Sequence, residues 1–216
     1  MDIIQKISED LSLKKKQVEA AVQLLDEGNT VPFIARYRKE LTSGLNDEEL
    51  RNLEEKLQYL RKLEERRESI LHSVEEQGKL TEELKNEILA ADTAVRLEDL
   101  YLPYKPKRRT RGMIAREKGL EELAKALLLP CDNPKAEAEK YISPEKEVLT
   151  ATDALNYAKD ILAEDFSEDA RLREWIRNKS LKEGFICSSL KEKEETPESK
   201  TYENYFSYEE KVQSIP

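Results

Sequence analysis

No glycine or proline interrupts the chain between Gly44 and Gly78, and that uninterrupted run constrains the fold more than any other feature. Asn46 is placed to cap a helix, and Asp47, Glu48 and Glu49 suit the positive end of its dipole. One continuous helix is predicted over 46–77. At ~1.5 Å per residue it reaches ~48 Å, longer than a compact domain needs, so it is expected to brace two parts of the molecule. Leu50, Leu53, Leu57 and Leu60 form a heptad-like seam that Glu64 and Arg67 then interrupt, while Leu63, Ile70, Leu71 and Val74 carry the apolar line onward. That drift fits packing within a globular array better than a dimeric coiled coil. Asp47 with Arg51 and Arg61 with Glu65 read as i,i+4 ion pairs on the wet face.

The rest of the chain extends the helical pattern. Ile3, Ile4 and Ile7 predict a first short helix, and Val18, Ala21, Val22 and Leu25 a second, following Ser12 and closed by Gly28. Thr81 opens a helix carrying Leu84, Ile88 and Leu89, and others are predicted at 94–100, 110–118, 120–129, 153–165 and 168–182. Pro130, Pro134 and Pro144 place a division near 130–150, giving segments 1–130 and 131–216. After Gly184 the run FICSSL reads as a strand, KEKEETPESK as a loop and Tyr202 to Phe206 as the partner strand. The predicted class is mainly α: a multi-helix array with one long bracing helix and a small C-terminal β-hairpin.

Composition narrows the chemistry. With 38% charged residues, six glycines and a net charge of −9, the chain is not coated in basic groups, so any nucleic-acid contact must be local. Cys131 and Cys187 form no CxxC pair and His72 is the sole histidine, which argues against an ordinary zinc site. No apolar run approaches the ~20 residues of a membrane span, and MDIIQKISED lacks the blocks of a signal peptide, so a cytoplasmic, membrane-free protein is expected. No nucleophile with a base, metal cluster or phosphate-cradling glycine loop is legible. His72 on the long helix, Asp165 with Asp169, and Cys187 all read as structural or solvated, and neither catalysis nor a cofactor is expected.

Two segments stand out. In TVPFIARYRKELT at 30–42, Arg36, Arg38 and Lys39 alternate with apolar residues. From Lys105 to Lys118, the cations Lys105, Lys107, Arg108, Arg109, Arg111, Arg116 and Lys118 face one acid, Glu117, a local charge of +6 in an acidic chain. Beside Tyr101 and Tyr104 this cluster could hold phosphates and stack bases. Equally, the guanidinium groups could tie helices together through acidic faces, with the tyrosines packed under the proline turn. The sequence leans slightly to that structural reading at 105–118, and more firmly at 36–39, where adjoining apolar residues suggest a packed helix.

TVPFIARYRKELTSGL at 30–45 and LEDLYLPYKPKRRTRGMIAREKGLEELA at 97–124 closely resemble signature stretches of the Tex family of bacterial transcription accessory proteins, and the segment between them fits in length and register. The resemblance covers most of residues 1–210. It implies an RNA- and DNA-associated scaffold without catalytic residues, beginning in a helical region with a helix-turn-helix-like portion. In the family this precedes ribonuclease-H-like, helix-hairpin-helix and OB-fold modules. The sequence stops at Pro216, before those modules, so the resemblance implies a fragment whose nucleic-acid affinity resides mostly elsewhere. The competing expectation is a protein-interaction module docking the transcription or translation machinery.

Overall fold

The computed structural model describes residues 2–190 and 199–215, which form two compact units, Met1–Tyr101 and Leu102–Pro216. The first holds α1 (Ile3–Asp10), α2 (Lys15–Asp26), α3 (Val31–Tyr37), α4 (Asp47–Glu76), α5 (Glu82–Ala90) and α6 (Ala94–Tyr101). Asn46 and Glu49 cap α4 reciprocally: the Asn46 side chain accepts from the Glu49 N–H at 2.9 Å, and Glu49 accepts from the Asn46 N–H at 2.8 Å. Gly78, at φ 65°, takes the left-handed conformation just past the helix end.

Every other helix of this unit touches α4. Leu50, Leu53, Leu57, Leu60, Leu63, Ile70 and Val74 are buried on it, and so is Arg67, 2% exposed, so the seam continues through a charged residue that the sequence pattern treats as its interruption. Polar bonds join the early turns of α4 to α1 and α2, through Lys56–Asp10 and Arg61–Asp26, and later turns to α6 through Arg66–Glu98. The bracing action therefore operates within the first unit. Asp47–Arg51 forms as expected, whereas Arg61 reaches Asp26 with two bonds of 2.7 and 2.8 Å instead of Glu65, because the α2 carboxylate offers bidentate geometry.

Leu57, 3% exposed, sits in this seam. Leu57→Ala is expected to cost ~2–5 kcal/mol in urea unfolding followed by circular dichroism, the range for a core leucine truncation. The solvent control is Lys62→Ala, with little change expected. Lys56 is unsuitable as a control because its ammonium lies 2.6 Å from Asp10. Equal costs at Leu57 and Lys62 would misplace the buried face.

The second unit contains α7 (Arg111–Glu117), α8 (Glu121–Leu127), α9 (Pro134–Glu139), α10 (Ala151–Glu168) and α11 (Ala170–Glu183). Its core gathers Ala115, Leu120, Leu123, Ala138, Val148, Ala154, Ala158 and Ile161 around α10. The proline-rich stretch near 130–150 lies inside this unit, since α8 and α9 both pack on α10. It also contains α9, which the sequence reading omits: Pro134 opens the helix and the Asn133 side chain accepts from the Ala136 N–H at 3.1 Å.

The hairpin pairs β1 (Phe185–Ser189) with β2 (Ser207–Lys211), antiparallel, Phe185 opposite Lys211 and Ser189 opposite Ser207. The partner strand thus begins after the predicted 202–206, because Ser199–Tyr205 tightens into 3-10 turns. The expected loop at 191–200 lies mostly outside the described residues.

Candidate nucleic-acid interface

The two basic segments meet different fates. In the first unit, α3 buries Val31 and Ile34, three residues apart, and leaves Phe33, Arg36 and Tyr37 on its outer side. The helix stops at Tyr37, and the chain folds into a turn fixed by buried Thr42 and Leu45, with the Thr42 hydroxyl donating to the Lys39 carbonyl at 3.1 Å and Gly44 at φ 95°. That turn keeps Arg38 and Lys39 outside the core. Arg36, Tyr37, Arg38, Lys39, Leu41 and one acid, Glu40, line an open concavity of about 830 Å³. Among the described residues no carboxylate pairs with Arg36, Arg38 or Lys39; the Arg38 guanidinium lies 5.5 Å from the Phe33 ring, itself 5.3 Å from Tyr37. Tyr37, 61% exposed, offers an open aromatic face that the sequence reading did not single out.

In the second unit most cations of Lys105–Lys118 are met by acids. Lys107 pairs with Glu168 and, at 3.7 Å, with Glu164; Arg116 pairs with Glu164 at 2.5 Å and with Asp165. Arg109 reaches Glu117 at 2.6 Å, Lys118 reaches Glu147 at 2.9 Å, and the more exposed Arg111 lies 3.8 Å from Asp160. Among the described residues only Lys105 and Arg108 of the seven lack a carboxylate partner. Seven cations therefore face six acids, Glu117, Glu147, Asp160, Glu164, Asp165 and Glu168, and the local +6 falls to about +1 once these pairs are counted.

The two tyrosines fall in different units. Tyr101 belongs to the core of the first unit, 7% exposed, with its hydroxyl 3.1 Å from that of Ser73 and the Arg66 guanidinium 5.2 Å from its ring centre, so its faces are not open to a base. Tyr104 is half-buried in the second unit.

Glu164 is the hub of the second cluster. It also accepts a hydrogen bond from the Thr110 hydroxyl at 2.8 Å. Burial pushes its carboxyl up, but the bonds from Arg116 and Thr110 and the charges of Lys107 and Arg116 outweigh that and hold it below its ordinary value of 4.5. A carboxyl depressed on folding stabilises the folded state above its unfolded value, and this contribution is lost as pH falls through the folded value. Chain stability should therefore drop below about pH 4.5, and Glu164→Gln should flatten that part of the profile while leaving the neutral part parallel. An unchanged acid limb in Glu164→Gln would remove Glu164 from this role.

Residues 1–75 match the family model of the Tex-like protein N-terminal domain, and residues 130–216 match the Tex central region-like model. The chain belongs to the Tex family. Similarity extends to the transcriptional accessory protein Tex of Neisseria gonorrhoeae, 48% identical over 219 residues covering 100% of this chain and 28% of that protein. Protein tex of Bordetella pertussis is 50% identical over 215 residues, 99% of this chain and 27% of that protein. The human S1 RNA-binding domain-containing protein 1 is 32% identical over 180 residues, 82% of this chain and 18% of that protein. This Tex-family chain thus spans about 28% of the length of the bacterial relatives it matches. The second family match starts at 130, at the division the prolines suggest, whereas the compact units part after Tyr101. No helix among the described residues is long and apolar enough to cross a membrane.

Proposed function

We propose that this chain is a non-catalytic, cytoplasmic scaffold of a transcription accessory protein and that it contacts RNA or DNA through the end of α3 and the turn after it. The observation that carries the reading is the set of three exposed cations, Arg36, Arg38 and Lys39, without carboxylate partners among the described residues, beside exposed Tyr37. Cations not already neutralised bind phosphates, and an open aromatic ring gives bases a stacking surface. The names of relatives, a transcriptional accessory protein and an S1 RNA-binding domain-containing protein, support the same class of partner.

A helix-turn-helix reader would present base-contacting side chains at the start of its recognition helix. Here α3 starts with Val31 and Pro32, and its cations cluster at the far end, which favours backbone contact without sequence preference. The test is fluorescence anisotropy of the full chain with a labelled single-stranded oligonucleotide, with magnesium present. Reversing Arg36, Arg38 and Lys39 to Glu is expected to weaken binding at least about tenfold, the oligonucleotide remaining intact. Unchanged affinity would overturn the site, and cleavage would overturn the non-catalytic reading.

A protein-docking role is the second reading, favoured by α11, which buries none of its side chains and exposes Trp175, Ile176 and Leu181. Trp is prominent among interface hot spots.

A further inference from the structure

We propose that residues 105–118 form a second nucleic-acid backbone site, distinct from the α3 surface and held closed by the carboxylates of α10, which occupy the positions phosphates would take. Asp160, Glu164 and Glu168 recur every four residues, so they share one face of α10 about 6 Å apart along its axis. That row resembles the step from one phosphate to the next along a nucleic-acid strand. The basic segment binds the row as it would a strand. Lys107 reaches Glu164 and Glu168, Arg116 reaches Glu164 and Asp165, and Arg111 lies opposite Asp160. At Gly112 a Cβ would fall 2.2 Å from a Glu164 carboxylate oxygen, so any larger residue there would make that carboxylate shift.

The ion pairs are not the sole tie between these helices. Ala115 of α7 belongs to the same buried cluster as Ala158 and Ile161 of α10, so an apolar core joins the two helices beneath the charges. What the acids do is cancel a field that would otherwise attract phosphate. The closure is also reversible in principle. Lys107, Arg111, Asp160, Glu164 and Glu168 border a surface cleft of about 350 Å³, Lys107 and Arg116 remain 24% and 32% exposed, and arginine pairs with phosphate as it does with carboxylate. Lys105 and Arg108, exposed and without carboxylate partners among the described residues, give an incoming strand its first foothold.

The test uses the full chain with Arg36, Arg38 and Lys39 reversed to Glu, so that the α3 surface is silent. Adding Glu164→Gln and Glu168→Gln is expected to raise affinity for a labelled oligouridylate about tenfold over that background, with a steeper salt dependence. Reversing Lys105 and Arg108 as well should remove the gain, and inorganic phosphate at matched phosphate concentration should not compete. No gain, a gain that survives the second reversal, or equal competition by inorganic phosphate overturns the site. Because the gain is read against the same background, the α3 reading can fail without deciding this one. Should the Gln variant lose its helical circular dichroism, hydrogen exchange on the unmutated chain decides. Saturating oligouridylate at low salt is expected to alter exchange at 105–118 and at 160–168 together, and no change in either segment overturns the proposal.

Discussion

Replacing Arg67 with Ala is expected to cost about 3–5 kcal/mol, the range for removing one partner of a buried charged network. Its guanidinium donates to the Leu89 carbonyl at 2.5 Å and the Ala91 carbonyl at 2.6 Å. Both carbonyls sit at the C-terminal end of α5, where a helix has no amide partners of its own, so Arg67 acts as a cap delivered from α4. Glu64, one turn earlier, balances the charge at 3.3 Å. Truncation leaves two carbonyls without donors, a carboxylate without its counter-ion and a cavity in the seam. Lys at this position keeps the charge, but one ammonium cannot reproduce the planar fork that reaches two carbonyls, so Arg67→Lys should recover part of the loss. The control is Arg61→Ala, which removes a bidentate pair whose arginine side chain is 48% exposed and should cost at most about 1 kcal/mol. Urea unfolding of all three variants checks the order; equal costs at Arg67 and Arg61 would show that the buried cap carries no stability.

Arg67 also shows where sequence reasoning stops. A helix over 46–77 was legible because nothing interrupts it and its leucines recur at helical spacing, and the observed α4 ends within a residue of those bounds. A charge in the seam reads as a break because a pattern of apolar residues contains no record of the carbonyls that make a buried guanidinium acceptable. The same blindness governs the basic segment. Apart from Arg109–Glu117, each ion pair has its acid outside 105–118, and the acids that meet Lys107 and Arg116 on α10 lie 48 to 61 residues further on, so the sequence displays an excess of cations that the fold largely neutralises. At 36–39 the outcome differs. The apolar neighbours point to a packed short helix, and α3 is one: Val31 and Ile34 form its buried face, while Arg36, Arg38 and Lys39 stay exposed beside the turn at Ser43–Gly44. Strand β2 was misplaced because Tyr-rich composition favours β structure only where a partner is in register, and Ser199–Tyr205 takes 3-10 turns before pairing begins at Ser207.

The contrast between the two segments yields the largest expected effect on binding, and salt dependence is its most discriminating readout. If Arg36, Arg38 and Lys39 each neutralise one phosphate of a single strand, log K falls against log salt with a slope near −2, about −0.7 per contact. Between 50 and 200 mM salt the affinity should then drop about twentyfold. Reversing these three residues to Glu should remove nearly all of that slope together with the affinity. Reversing Arg108 and Arg109 should leave both within about twofold, because Arg109 is already neutralised by Glu117 at 2.6 Å and Arg108 then stands alone as a single phosphate contact. Tyr37→Ala separates stacking from charge: it should weaken binding at every salt concentration by the same factor, since an aromatic contact releases no counterions. A slope that follows Arg108 and Arg109 instead of Arg36, Arg38 and Lys39 would place the contact on the second unit, with its carboxylate clasp already open in solution.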